Sequence, residues 1–150
     1  MKIISLGEVL WDILPSREHL GGAPFNFAWN AHNLGHKVCF VSAIGHDQRG
    51  NQTLEQMAAL GLSAQFVRRE ANYPTGTVTV TLDSFELPQY VIHRPAAYDF
   101  PALGPAEFEA LLNPAPTWIY FGTLQQMSAP AHDLLLKLMT AAPAAKRFYD

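Results

Sequence analysis

The sequence predicts an α/β domain built on a mainly parallel sheet, and three short apolar runs carry that expectation. Lys2–Leu6, residues 38–44 and Trp118–Phe121 are continuous and rich in β-branched or aromatic side chains. That is the pattern of strands buried on both faces, as distinct from the alternation of a sheet with one wet face. Segments of helical period separate the runs, so the strands read as alternating with helices.

In chain order, the first strand reads as running on through Gly7, Glu8, Val9, Leu10 and Trp11 into a polar end at Asp12. Ligands collect at the carboxyl ends of strands in open α/β sheets, which places Asp12 where a substrate could lie. The alternative is a solvent-facing strand-end carboxylate. Residues 13–15 and the polar run 16–20 read as an exposed strand or loop leading to Gly21 and Gly22. Paired glycines let the backbone approach a ligand without a Cβ in the way. Pro24 suits a first helical turn because its missing N–H would be unpaired there in any case. The helix it opens carries Phe25, Ala28, Trp29 and His32, with Gly35 as its stop. Asn26, beside the free donors of a helix start, can offer its amide to a polyol or an anion.

The strand over residues 38–44 ends at Gly45-His46-Asp47, where Asp47 reads as the N-cap of a following helix. Leu54, Met57, Ala58 and Leu60 fall on one side of that helix and Gly61 ends it. Residues 64–69, 75–82 and 89–93 read as strands, the last two joined by a turn over residues 83–88. The threonine–valine alternation within 75–82 means that one face meets water or a partner. Arg94 follows, then a short helix over 104–112. Trp118–Phe121 ends at Gly122, Ser128 reads as the cap of a helix with Pro130 in its first turn, and Leu134, Leu135, Leu138 and Met139 form its core stripe. Residues 146–150 open one more strand.

Composition narrows the function classes. At 150 residues and 49% hydrophobic, the chain can bury one real core. A net charge of −3 leaves no basic footprint for nucleic acid. The single cysteine, Cys39, rules out an intramolecular disulfide and suits a reducing cytoplasm. Gly7 and Glu8 arrive too early for a signal peptide, and no window approaches a membrane span. His32 has no cysteine or second histidine at metal spacing, so no metal site is expected. The expectation is a soluble cytoplasmic protein that binds neither nucleic acid nor membrane.

The spacing Gly21-Gly22-x-Pro24-x-Asn26-x-Ala28, then Gly35, then Gly45 resembles the first signature of the PfkB carbohydrate kinases, the ribokinase and fructokinase family. Read as a helix entry, a helix stop and a strand end, the glycines are each explained, but Asn26 and the spacing are not. Gly7-Glu8 through Asp12 resembles the Gly-Glu-x-x-x-Asp start of fructokinase-like members, in which the aspartate hydrogen-bonds sugar hydroxyls. Gly45-x-Asp47-x-x-Gly50 is close to the family's strand-end turn, and Arg94-Pro95-Ala96-Ala97-Tyr98-Asp99 resembles the Arg-x-x-Ala-Ala segment of fructokinases, whose guanidinium could donate to a sugar or a phosphate or equally form a surface salt bridge. Ribokinases proper carry an asparagine where Leu10 stands and often a lysine in the glycine turn, so ribose is disfavoured.

The resemblance implies a ribokinase-like three-layer sandwich with a small β lid, its strands within residues 9–20 and 64–93. It also implies sugar contacts from Asp12, Gly21, Gly22, Asn26 and Arg94, and a homodimer formed through the lid. ATP and Mg²⁺ are implied for the intact enzyme. The family's second signature, a Gly-Ala-Gly-Asp turn bearing the catalytic base, is not in the sequence, and no Gly-x-x-x-x-Gly-Lys replaces it. The expectation is therefore the N-terminal, sugar-binding portion of a kinase domain over 1–150, without the ATP-binding half and without a catalytic residue of its own. A nucleoside kinase of the same family, a non-catalytic sugar-binding module and an oligomerisation fragment are the alternatives.

Overall fold

The computed structural model describes every residue except Asp83, Ser84 and Glu86, so the turn expected over 83–88 lies in part outside the described residues. Five strands form one fully parallel sheet in the order β5 (Val67–Glu70), β4 (Lys37–Gly45), β1 (Lys2–Leu6), β8 (Trp118–Phe121) and β9 (Lys146–Tyr149). Successive side chains of a strand point to opposite faces, and here both faces are apolar. Ile3, Val38 and Phe40 pack against α1 (Ala23–Asn33) and α2 (Gln48–Ala59). Ile4, Cys39, Val41 and Ile119 pack against α3 (Pro105–Leu112) and α5 (Ala129–Ala141). Burial on two sides explains the unbroken apolar runs, and the result is a three-layer sandwich.

A second sheet of four strands has the order β3 (Arg17–Gly21), β2 (Leu10–Leu14), β6 (Gly76–Leu82) and β7 (Pro88–His93). Two of the sequence expectations change here. The first strand does not run on to Asp12: β1 stops at Leu6, the chain changes sheets across Gly7, Glu8 and Val9, and β2 pairs with β3 and β6. Likewise, the strand expected over 64–69 belongs to the large sheet, because β5 pairs in parallel with β4. The small sheet is thus confined to β2, β3, β6 and β7. Apolar runs specify burial and leave open which sheet supplies it.

The small sheet is tied to the large layer by side chains. Trp11 Nε1 donates to Thr53 Oγ1 on α2 at 3.0 Å, and Arg49 donates to both carboxylate oxygens of Glu18 at 2.8 and 3.2 Å. Thr53 is therefore buried on α2 beside Met57 while Ala58 is exposed, which shifts the inner face of that helix from the one its apolar pattern predicts. Leu10 and Val78 of the small sheet pack on Ala96 and Tyr98.

Candidate functional site

Of the expected substrate contacts, Asp12 and Gly21 lie on the small sheet, and Gly22 and Asn26 lie at the start of α1, which packs on the large one. Asp12 stands on β2 opposite His19 of β3, whose Nε2 is 3.4 Å from Asp12 Oδ2. Partial burial pushes the Asp12 carboxyl above its ordinary range, and His19 opposes that shift. Gly21 closes β3 next to this carboxylate. A Cβ at Gly21 would sit 2.6 Å from Asp12 Oδ2, so a side chain there would displace the acceptor.

Gly22 is the N-cap residue of α1, with φ of 108°, a conformation that L residues with a Cβ rarely adopt. Asn26 follows one helical turn later. Its backbone N–H donates to Gly22 O at 2.9 Å, and its side chain is exposed. The structure thus brings Asp12 and Gly21 into contact and carries the chain through Gly22 to Asn26 within a single turn.

Arg94 is placed differently. It directly follows β7 and donates to Asp99 through Nη2 at 2.6 Å and Nε at 3.3 Å. Asp99 Oδ2 also accepts from the Ala96 N–H at 3.0 Å, and only 3% of the Asp99 side chain is exposed. The guanidinium is therefore anchored, and Arg94 and Asp99 line a groove of about 550 Å³ together with Pro95, Phe100, Met127 and Ser128. Asp99 was not anticipated. The sequence signal for it is an acid five residues after an arginine, a spacing common to many unpaired charges.

Other residues that shape the strand ends make contacts that have no local pattern in the sequence. Asp47 caps α2 as expected, accepting from the Gly50 N–H at 2.7 Å, and it also accepts from the Thr75 N–H and hydroxyl at 2.7 Å each. Burial raises the Asp47 carboxyl, but the hydrogen bonds from Thr75 and Gly50 together hold it below its ordinary range. Thr75 accepts in turn from the Gly45 N–H at 2.9 Å, which binds β4, α2 and the start of β6 into one junction. Ser128 occupies the N-cap position of α5, yet its hydroxyl donates to the Asp99 carbonyl and forms no cap bond. Glu8, on the crossover between the sheets, is 5% exposed. A charged residue inside an apolar run was the signal for it.

An acceptor carboxylate, an open amide and a guanidinium with spare donors can hydrogen-bond a polyhydroxylated molecule. Among the described residues, no group of three or more His, Cys, Asp or Glu side chains could hold a metal ion. No metal-dependent step is assigned to these residues. No helix of the described residues is long and apolar enough to cross a membrane.

Residues 16–149 match the model of the pfkB family carbohydrate kinases. The chain is 34% identical over 88 residues to a fructokinase of Klebsiella pneumoniae, covering 55% of this chain and 29% of that protein. It is 24% identical over 143 residues to a 5-dehydro-2-deoxygluconokinase of Lacticaseibacillus casei, covering 95% of this chain and 44% of the relative. Among solved structures, an uncharacterized sugar kinase of Pyrococcus horikoshii superposes with a TM-score of 0.86 at 22% identity, covering all of this chain and 52% of that one. The same kinase has also been solved in complex with ATP. The chain spans about half the length of that solved relative and less than half of these curated ones. With its parallel sheet, its small second sheet and its glycine turn in place, the chain belongs to the pfkB family of carbohydrate kinases.

Proposed function

We propose that this chain is the sugar-binding, N-terminal portion of a fructokinase-like cytoplasmic kinase, whose intact form phosphorylates a sugar hydroxyl with ATP and Mg²⁺. Asp12, Gly21, Gly22, Asn26 and Arg94 form the sugar side of its cleft. The contact between Asp12 and Gly21 is the observation that carries this reading: a glycine stands where any Cβ would lie 2.6 Å from Asp12 Oδ2, so the acceptor is kept clear at the mouth of the glycine turn. An ionised carboxylate accepts from hydroxyls in pairs, and the exposed Asn26 amide adds donors. The match to a fructokinase and the departures from the ribokinase pattern at Leu10 and Ala23-Pro24 support a ketose over ribose. ATP binding and the catalytic base are assigned to sequence beyond these 150 residues, and the chain alone is inactive as a kinase.

The same reading gives the small sheet the role of a lid that pairs two copies. Tyr90, Val91 and Ile92 of β7 are 63%, 53% and 42% exposed, an apolar strand suited to a partner surface.

Calorimetry with fructose, ribose and a nucleoside, without nucleotide triphosphate, tests the proposal. Fructose is expected to give saturable heat, weakened about tenfold or more by Asp12→Ala, since hydrogen bonds to charged groups contribute about 1.5–3 kcal/mol. Saturable heat from the nucleoside alone would favour a nucleoside kinase. No heat from any of the three would overturn the sugar-binding reading.

A further inference from the structure

Two alternations along the small sheet put His19 and Asp12 on one face of it. On β2, Trp11 points to α2, where its Nε1 donates to Thr53, so the next residue, Asp12, points to the opposite face. On β3, Glu18 also points to α2, held there by Nε and Nη2 of Arg49, so His19 is turned the same way as Asp12. The ladder sets the two residues opposite each other, and His19 Nε2 lies 3.4 Å from Asp12 Oδ2. The same oxygen has Gly21 beside it, 2.6 Å from where a Cβ would stand. On this face Leu10 and Val78 are buried against Ala96 and Tyr98, whereas the side chains of Asp12 and His19 are 24% and 53% exposed and stay within reach of a ligand.

A carboxylate only accepts, so the imidazole nitrogen that faces it carries the proton. A separation of 3.4 Å exceeds the usual N–H···O range of about 2.7–3.2 Å. Donor and acceptor are thus adjacent without closing on each other. A hydroxyl both donates and accepts. One placed about 2.7 Å from Oδ2 can also meet Nε2, donating to Asp12 and accepting from His19.

We propose that His19 is a substrate-contacting residue that sets specificity at the candidate site: its imidazole and the Asp12 carboxylate form a donor–acceptor pair that one sugar hydroxyl bridges. An ammonium group, which only donates, would face the Nε2–H as a like donor, so the pair selects a hydroxyl over an amine at that position. The link from Arg49 to Glu18 holds β3, and with it the imidazole, beside the acceptor. The proposal rests on the sugar-binding reading and extends it by one residue.

Calorimetry of the 150-residue chain with fructose tests it. His19→Leu should weaken fructose binding about fivefold, the size of one lost hydrogen bond. His19→Gln, whose amide N–H can stand where the Nε2–H stood, should restore the affinity to within about twofold of the original. More than half of the His19 side chain is exposed, so both variants should melt with the unsubstituted chain. Because the two residues share one hydroxyl, adding His19→Leu to Asp12→Ala should weaken binding by less than a further factor of about two. An affinity unmoved by His19→Leu, a His19→Gln variant that binds as poorly as His19→Leu, or losses that multiply in the double variant would overturn the proposal. If Asp12→Ala weakens fructose binding while His19→Leu does not, the role of His19 falls and the sugar reading stands. No saturable heat from the unsubstituted chain removes both.

Discussion

Asp47 accepts three hydrogen bonds, from Gly50 N–H, Thr75 N–H and Thr75 Oγ1, and these join a strand end, a helix start and the entry to the small sheet. Replacing it with alanine leaves two backbone donors and a hydroxyl without their acceptor. Asp47→Ala should therefore lower stability by about 2 kcal/mol, above the ordinary loss of an N-cap, read as a shift in urea midpoint at unchanged slope. The sign of its pH dependence follows from the same bonds. Its folded-state carboxyl lies below the ordinary aspartate range, so its contribution is complete above that range and is lost as pH falls through the folded value. Urea midpoints from pH 6 downward should fall less steeply in Asp47→Ala than in the unsubstituted chain. A parallel pH profile in the variant would remove Asp47 from this role. The N-cap was legible from a Gly-x-Asp-x-x-Gly turn, but Thr75 was not, because a contact across 28 residues has no local pattern.

At the scale of elements, the small sheet is held by its own ladder and by a few side chains to α2. Trp11→Phe keeps the aromatic bulk and removes the donor to Thr53, a change expected to cost about 1 kcal/mol and to raise exchange in β2 more than in β4. Equal effects on both sheets would show that the two move as one body. Gly22→Ala acts at the other connection. Its φ of 108° and the Glu8 carbonyl 2.6 Å from the new Cβ predict a loss of more than about 1 kcal/mol, measured by thermal melting. A melting temperature unchanged by this substitution would contradict the close packing of the two crossovers. Helices α1 and α5 were legible from period and stop signals, since Gly35 has the positive φ of 81° that a helix stop needs and Leu134, Leu135 and Leu138 are buried. The inner face of α2 was not, because its buried Thr53 is chosen by Trp11 from another element.

Across the whole molecule, β5 and β9 are the edge strands of the large sheet and β3 and β7 those of the small one, and among the described residues the exposed large apolar side chains on these edges lie on β9 and β7. Strand β9 pairs only with β8 in the large sheet, with Phe148 and Tyr149 49% and 61% exposed, and β7 is exposed along its length. Phe27, Tyr120 and Phe148 cluster on one face of the sheet at β9, with ring centroids 4.0, 5.5 and 6.3 Å apart. Unpaired edges with apolar side chains recruit other chains. The protein is expected to self-associate at micromolar concentration in size-exclusion chromatography, and charge placed on β7 by Val91→Lys should separate lid pairing from association through β9. A strictly monomeric elution at high concentration would refute both.

The sequence by itself determined the fold class, the order of the elements and the glycine turn, because runs of apolar residues, helix stops and a glycine spacing are properties of neighbours along the chain. The tertiary structure alone decided that the strand at Val67–Glu70 joins the large sheet, that Arg94 is anchored by Asp99, and that Glu8 lies between the two crossovers. Those outcomes depend on which distant groups share a desolvated space, and the free energy of a buried charge or donor is set by that space far more than by its position in the chain.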